Sequence, residues 1–547
     1  MRSTMQETPL SVSTVVRYGT TAHAGAEVAT ATPDGVRRAT YGQVGRRAAQ
    51  LAHALRSLGV TGDDRVGTFM WNNQEHLEAY AAIPSMGAVL HTLNIRLFPD
   101  QLAYTANHAQ DKVVLADGSL LPVLAKVLSQ METVRHVVVS GPGELSLLDG
   151  AGVEVHAWEE LIAGQPEEFD WVEQDDEHSA AALCYTSGTT GNPKGVAYSH
   201  RSIYLHSMQV CMGDGFSMTA SDRVLAVVPM FHAMAWGLPY AALMVGSSLV
   251  MPDRFLAPEP LAHLIATERP TVAGAVPTIW AGLLAHVDAN PTGLSSLRDV
   301  VVGGSACPPG LMKAFEERHG VHITHAWGMT ELSPLGAVCR MPPGLTPDQA
   351  WRYRVTQGRI PASVQPRLVG PDGTLVPHDG VAVGELEVRG PWVTASYYVD
   401  DDPLKFDDGW LRTGDVGSIS PDGFLTLTDR AKDVIKSGGE WISSVELENA
   451  LMDHPAVAEA SVVGVPDEHW GERPLATIVV RDGAPVTIEE LRDHLAGRVA
   501  HWQLPERWAF IDEVPKTSVG KFDKKVLRSR FQDGELTIEH TKAPGGK

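Results

Sequence analysis

Tyr185-Thr186-Ser187-Gly188-Thr189-Thr190-Gly191-Asn192-Pro193-Lys194-Gly195 is the stretch on which the reading of this chain turns. Three glycines, four Ser/Thr hydroxyls and one lysine fall within eleven positions. The apolar run Ala181-Ala182-Leu183-Cys184 leads into it and reads as a buried strand. A glycine-rich turn after a strand leaves backbone N–H groups free to face an anion, and hydroxyls and an ammonium add further donors. Thr186, Ser187, Gly188, Thr189, Thr190 and Lys194 are therefore a candidate polyphosphate cradle. It is not a Walker-type loop, because no Lys-Ser or Lys-Thr follows the last glycines at the required spacing.

Around this loop the pattern alternates. Residues 46–58 place Leu51, Ala52, Leu55 and Leu58 on one helical face, which ends before Gly59. Val66-Gly67-Thr68-Phe69-Met70, Val113-Val114-Leu115-Ala116 and Val137-Val138-Val139 read as short buried strands between helical stretches. Such alternation predicts an α/β fold with parallel sheets. Val300-Val301-Val302 runs into Gly303-Gly304-Ser305, a strand opening onto a turn at its carboxyl end, where ligands bind on such sheets. From 358 to 429 the texture changes to short alternating runs punctuated by Pro and Gly, which predicts a smaller β-rich subdomain. Beyond 429 a separate α+β unit is expected, with strands near 460–465 and 476–480 and helices at 444–452 and 488–499. The polar end, 534–547, reads as a disordered tail.

Composition sets limits on partners. At about 150 residues per domain, 547 residues suggest three or four compact units. Hydrophobic content of 44% and charged content of 20% are ordinary for a globular enzyme. The net charge of −22 argues against a nucleic-acid partner and against attachment to an anionic membrane by charge. Any positive field for an anionic ligand must then be local. Cys184, Cys211, Cys307 and Cys339 are widely spaced with no CxxC pair, which reads as reduced thiols in a cytoplasmic protein. No apolar run reaches the roughly 18 residues needed to span a bilayer, and the polar start is expected to be neither signal peptide nor anchor.

The quoted loop resembles the phosphate-binding motif of the adenylate-forming superfamily: acyl-CoA synthetases, peptide-synthetase adenylation domains and luciferases. Three further segments fit in the same order: Trp327-Gly328-Met329-Thr330-Glu331, Leu411-Arg412-Thr413-Gly414-Asp415 and Pro515-Lys516-Thr517-Ser518-Val519-Gly520-Lys521. The resemblance runs from about 40 to 531. Pro229-Met230-Phe231-His232-Ala233-Met234-Ala235-Trp236 and Lys436-Ser437-Gly438-Gly439-Glu440-Trp441-Ile442-Ser443 look most like the bacterial medium- and long-chain fatty acyl-CoA synthetases. It implies a large N-terminal domain over 1–428, with the β-rich subdomain at about 358–428. A hinge at 429–433 and a mobile C-terminal domain at 434–533 would follow.

Activating a carboxylate with ATP brings an anionic nucleophile to an α-phosphate that is itself negative, so the protein must supply cations and N–H donors there. The resemblance implies that Thr330 contacts the α-phosphate and that Glu331 holds Mg²⁺, which prefers hard oxygen ligands. It implies that Gly303, Gly304 and Ser305 lie along adenine and that Trp327, in place of the usual Tyr, stacks on it. An indole offers N–H where a phenol offers O–H. Asp415 and Arg430 would bind the ribose, with Lys436 and Trp441 nearby, and Lys521 would be the catalytic cation between acid and α-phosphate. Lys432 would be the hinge, and Ser437, Gly438 and Gly439 would line the CoA path after rotation. His232 and Trp236 would border the acid pocket, Trp236 as a gate, with Met234 where an Asn is common. His319, His322 and His325 straddle Gly320 and a strand, so they are not expected to converge on a metal.

The expected activity is an AMP-forming acid–CoA ligase: a carboxylic acid, by the resemblance a medium- or long-chain fatty acid, with ATP and CoA gives acyl-CoA, AMP and pyrophosphate, in a homodimer. One alternative is an adenylating enzyme with another acid or acceptor, such as a carrier protein, an amine, or nitrite for N–N bond formation. The other is a non-catalytic AMP-sensing scaffold, which the joint presence of Lys194, Glu331, Asp415 and Lys521 disfavours.

Overall fold

The structure, a computed structural model, describes residues 1–541 apart from 174, 187–191, 371, 401, 431, 438–439, 482 and 518–521, and the backbone alone at 440 and 441. One sheet has seven strands in the order Glu154–Ala157, His136–Ser140, Asp111–Asp117, Arg65–Phe69, Val89–Thr92, Ala180–Tyr185, Gly195–Ser199. The first six are parallel and the last returns antiparallel. Val137, Val138 and Val139 are all buried. Valine runs without polar alternation are what a parallel strand covered on both faces requires.

A second sheet holds fifteen strands among the described residues. Half of it is parallel, with Ile323–Gly328, Asp299–Val302, Val272–Ala275, Arg223–Ala226, Ser248–Met251 and Glu27–Thr32 side by side. The other half is antiparallel and runs from Leu335–Val338 through Gly358–Arg359, Phe424–Arg430 and Trp410–Ile419 to Gly384–Arg389 and Gln365–Val369. The β-rich residues expected as a subdomain thus continue the same hydrogen-bonded sheet through Gly358–Arg359. Glycine is needed at that crossing: Gly358 has φ of 96°, and a Cβ there would lie 2.1 Å from the backbone of the neighbouring strand.

Helices Val12–Ala22, Tyr41–Ser57, Gln74–Ser85, His200–Cys211 and Leu238–Val245 share one apolar core with strands of both sheets, which places them between the two. Tyr41–Ser57 starts earlier than its apolar face suggests, because Thr40 and Gln43 cap it reciprocally. Gln74–Ser85 is buried along its whole length. Its charges are paired: Arg37 grips Glu75 at 2.6 Å through both guanidinium nitrogens and Arg47 reaches Glu78 at 2.6 Å. Burial still pushes the Glu78 carboxyl up to about 7.

The C-terminal sheet has six strands, from Glu440–Ile442 and Ile435–Ser437 through the long pair Val457–Asp467 and Gly471–Val480 to Arg507–Phe510 and Glu539–His540. Helices Ser444–Met452 and Ile488–Ala496 cover it over a core of Ile435, Leu447, Leu451 and Trp508. The expected tail needs correction. Glu539–His540 pairs with Arg507–Phe510, and Leu536 and Ile538 pack beside Val463 and Leu475. Two apolar side chains in a polar stretch are enough to dock residues 534–541; 542–547 lie outside the described residues. Among the described residues no helix is long and apolar enough to cross a membrane.

Candidate active site

Strand Ala180–Tyr185 ends at the carboxyl edge of the seven-stranded sheet, paired with Gly195–Ser199. The loop between them is tied at its base, where Thr186 N–H donates to the Lys194 carbonyl at 2.9 Å. Lys194 N–H also reaches Thr186 Oγ1 at 3.3 Å. Ser187, Gly188, Thr189 and Thr190 lie outside the described residues. Lys194 Nζ donates to Asp402 at 2.5 Å and sits 4.9 Å from the centre of the Tyr397 ring. That hydrogen bond holds the Asp402 carboxyl below its ordinary range.

Thr330 and Glu331 face this lysine from the other sheet, just past strand Ile323–Gly328. Both are buried. Glu331 Oε1 accepts from the Tyr397 phenol at 2.7 Å, and its carbonyl accepts from Thr394 N–H at 2.8 Å. The Thr330 carbonyl accepts from the Tyr198 phenol at 2.6 Å. Burial, with Glu331 adding to it, pushes the Tyr397 phenol well above its ordinary pKa, so it stays a donor. A buried carboxylate oriented by one phenol beside an ammonium is a donor set that suits a hard divalent cation and phosphate oxygens.

Asp415 and Arg430 are opposite each other on Trp410–Ile419 and Phe424–Arg430. Arg430 Nε lies 3.5 Å from Asp415 Oδ1, while Trp327 donates from Nε1 to Oδ2 at 2.7 Å. The indole packs against Gly336, where a Cβ would come within 2.3 Å of the ring. Gly303 is less tight: its Cβ would stand 3.0 Å from the Ala326 carbonyl and 3.4 Å from Trp236 Cη2. An indole face, two close-approach strand ends and an oriented carboxylate suit a planar base with a vicinal diol.

Trp236 lies across the ends of two adjacent strands, with the virtual Cβ of Gly274 3.5 Å from its ring and that of Gly303 3.4 Å away. It belongs to a left-handed turn: φ is 42°, 53°, 51°, 58° and 76° from Ala233 to Gly237. Left-handed backbone costs a non-glycine residue about 1–2 kcal/mol. Four such residues in a row are held by burial of Met234 and Ala235 and by His206, which packs against Gly237. His206 Nε2 accepts from Leu335 N–H at 3.2 Å, and burial takes its pKa down to about 3. His232 lines the same cleft.

Thr186, Lys194, His232, Trp236, Gly303, Gly304, Ser305, Trp327, Thr330, Glu331, Asp415 and Arg430 all open on one cleft of about 1420 Å³. The opposite wall comes from the C-terminal unit, including Thr517 and Phe522, the described neighbours of 518–521. Lys521 itself lies outside the described residues, as do Gly438 and Gly439. Lys516, Lys525 and Arg528 stand on this wall among carboxylates: Lys516 pairs with Glu459 at 2.6 Å and Arg528 with Asp433 at 2.7 Å. Lys432 lines the cleft, and its carbonyl accepts from Arg528 at 3.3 Å. Lys436 and Ser437 are not part of the cleft lining in this orientation. Lys436 N–H donates to Glu472 at 2.9 Å, and Ser437 Oγ accepts from Arg473 at 3.0 Å. Trp441 pairs by its backbone with Lys436. Two of the three spaced histidines take separate partners: His319 meets Asp288 at 2.9 Å, and His325 accepts from Cys307 N–H at 3.3 Å.

Sequence reading missed Tyr397, Asp402, Tyr198 and Gly336, which orient the site. It also missed a buried knot beside residues 429–433, the expected hinge. Asp429 Oδ2 accepts from Ser444 N–H at 2.6 Å, while Lys524 donates to Ser444 Oγ at 2.5 Å and pairs with Glu448 at 2.9 Å. Burial depresses the Lys524 pKa, but Glu448 and Asp429 outweigh it and hold it above the ordinary value.

The AMP-binding enzyme family model matches residues 20–398, and that of the AMP-binding enzyme C-terminal domain matches 446–521. The chain is 44% identical to the 3-methylmercaptopropionyl-CoA ligase of Ruegeria lacuscaerulensis, over 97% of this chain and 99% of that protein. It is 43% identical to the medium-chain-fatty-acid–CoA ligase of Ectopseudomonas oleovorans, over 97% and 98% of the two chains. Among solved structures, the anthranilate CoA ligase AuaEII in complex with anthranoyl-AMP superposes with a TM-score of 0.87 at 27% identity, covering 98% of this chain and 100% of that one.

Proposed function

Because the chain belongs to the AMP-binding enzymes, we propose that it is an AMP-forming acid–CoA ligase whose acid is a medium- to long-chain fatty acid. The ligase activity rests on similarity along the whole chain to such ligases. The observation that supports the catalytic reading is the convergence of Lys194, Thr330, Glu331, Trp327 and Asp415 on one cleft, with Thr517 and Phe522 facing them. In this reading the acid carboxylate attacks the α-phosphorus of ATP, the bond to pyrophosphate breaks, and an acyl-adenylate forms. The CoA thiolate then attacks the acyl carbon and AMP leaves.

Lys194 and the loop of residues 186–190 hold the outer phosphates. Thr330 steadies the α-phosphate, and Lys521 stabilises charge between acid and phosphate. Asp415 takes the ribose hydroxyls in the oxygen arrangement set by Trp327 and Arg430. Glu331 would hold Mg²⁺, which would supply positive charge against the phosphates. Lys436 and Trp441 contribute near the nucleotide; once the C-terminal unit turns about Lys432, Ser437, Gly438 and Gly439 border CoA. A homodimer and a cytoplasmic setting complete the reading; the four unpaired thiols suit the latter.

The acid assignment rests on Trp236, a large ring laid over the glycine floor of the cleft, whose movement would open depth for a chain. Each further buried CH₂ contributes about 0.8 kcal/mol. kcat/KM should rise up to a few-fold per carbon along straight-chain acids and then level off, and Trp236→Ala should change that profile with the KM for ATP unchanged. Similarity to a 3-methylmercaptopropionyl-CoA ligase favours a second reading, a short thioether acid. That acid turning over faster than any fatty acid, with a flat chain-length series, would replace the first reading. ATP consumption independent of CoA would overturn the thioester step. Lys521→Ala should lose roughly 10²-fold or more in ATP–pyrophosphate exchange, while still converting synthetic acyl-adenylate to thioester.

A further inference from the structure

We propose that His136, Glu154 and His156 bind a divalent transition-metal ion of the zinc type at the edge of the seven-stranded sheet, apart from the catalytic cleft. None of the three lines that cleft. The backbone brings them together. Glu154–Ala157 is the edge strand and runs parallel to His136–Ser140, with His136 directly opposite Glu154. Residues two apart on a strand share a face, so Glu154 and His156 stand on the face that His136 also uses.

The distances match a tetrahedral ion. His136 Nδ1 lies 3.3 Å from His156 Nε2 and 3.4 Å from Glu154 Oε2. The third edge, His156 Nε2 to Glu154 Oε2, is 4.0 Å. Zinc bound at about 2.0–2.1 Å by nitrogen and oxygen donors sets its tetrahedral ligands roughly 3.3–3.4 Å apart. Two edges already have that length, and the third closes by a small rotation of a glutamate that is 74% exposed. Two imidazoles and one carboxylate suit zinc, nickel or copper and not magnesium. The chain has 22 histidines and 66 Asp and Glu residues, yet among the described residues this is the one group of three whose donor atoms lie within 4.8 Å of one another. The histidine side chains are 17% and 23% exposed, so the donors are held by the sheet while the fourth position opens to solvent. An ion there would clip the edge strand to its neighbour. The competing use of the same atoms is a plain N–H···N bond between neutral imidazoles, for which Glu154 is not needed.

The experiment is zinc titration of the full-length protein, stripped with EDTA and free of nucleotide and magnesium, against a chromophoric competitor. One equivalent should bind, and His136→Ala and Glu154→Gln should each weaken it at least about tenfold, since disturbing even the partners of metal ligands costs 10–100-fold. His263→Ala, an exposed histidine elsewhere, should change nothing. Zinc should raise the thermal midpoint of the unaltered protein and not that of His136→Ala. Cobalt(II) should give the visible spectrum of a tetrahedral ion. Equal zinc affinity in the unaltered protein and in the His136→Ala/His156→Ala double variant would overturn the proposal. If the histidine variants fail to fold, Glu154→Gln decides: its ligase activity in zinc-free buffer should be intact, and unweakened zinc binding would overturn the site.

Discussion

Trp327 combines two interactions in one side chain: a ring packed against Gly336 in the cleft wall and an N–H donated to Asp415 at 2.7 Å. Trp327→Phe keeps a six-membered aromatic ring and removes the donor with the five-membered ring that carries it. Hydrogen bonds to charged groups contribute about 1.5–3 kcal/mol, so the KM for ATP should rise at least about tenfold with the acid KM little changed. Steady-state kinetics in both substrates checks this, and equal rises in both would detach the indole from Asp415. His206 is a second residue-level case. Burial lowers its pKa from 6.5 to about 3, so the native state disfavours the proton. Its stabilising contribution is then complete above pH 6.5 and is lost as pH falls from there toward about 3, at about 1.4 kcal/mol per pH unit. The stability gap between the unaltered protein and His206→Gln should narrow at that rate between pH 6.5 and 5. Denaturant unfolding at each pH measures it, and a constant gap would refute the assignment.

At the scale of elements, the turn from Ala233 to Gly237 is the one that local propensity argues against. Nothing in Ala-Met-Ala-Trp suggests left-handed backbone, and the sequence reading treated these residues only as the approach to a gate. The buried surroundings impose it, with Gly237 set against the His206 ring. Gly237→Ala adds a Cβ at φ of 76°, 2.6 Å from that ring, so something must shift. Stability should fall by at least about 1–2 kcal/mol. The acid chain-length profile should change with Trp236 while the KM for ATP stays within about twofold, because the nucleotide-side residues stand on other strands. Thermal unfolding and a kcat/KM series across acids test both halves. By contrast, Ala180–Tyr185, Asp299–Val302 and Ser444–Met452 were legible as elements, because apolar runs and 3.6-residue spacing are local signals.

At the scale of the molecule, the C-terminal unit is joined to the rest through 429–433 and fastened there. Asp429, at the end of the large sheet, holds Ser444, which Lys524 also grips, while Arg528 pairs with Asp433 at 2.7 Å. These contacts hold one orientation, in which Thr517 and Phe522 face Lys194 across the cleft. A rotated orientation would have to break the Asp429–Ser444 contacts. Proline at 432 locks φ near roughly −65°, so Lys432→Pro should slow the two half-reactions unequally. ATP–pyrophosphate exchange and thioester formation from synthetic acyl-adenylate, run separately, show the split. Equal small effects on both would remove Lys432 from the pivot.

The sequence by itself determined the α/β class, the family and the loop beside which Lys194 stands, because each is written in contiguous residues whose spacing and chemistry are local. It misjudged residues 534–541, where Leu536 and Ile538 find a core that no window of sequence displays. It was silent on Trp327 with Asp415, on Tyr397 with Glu331 and on His136 with His156. Those partners lie 88, 66 and 20 residues apart. Only the order and register of strands brings them within hydrogen-bond reach, and strand order is set by how the helices between the sheets bury their apolar faces. Tertiary structure therefore decided which carboxylates are oriented, which backbone is strained, and which donors meet at the sheet edge.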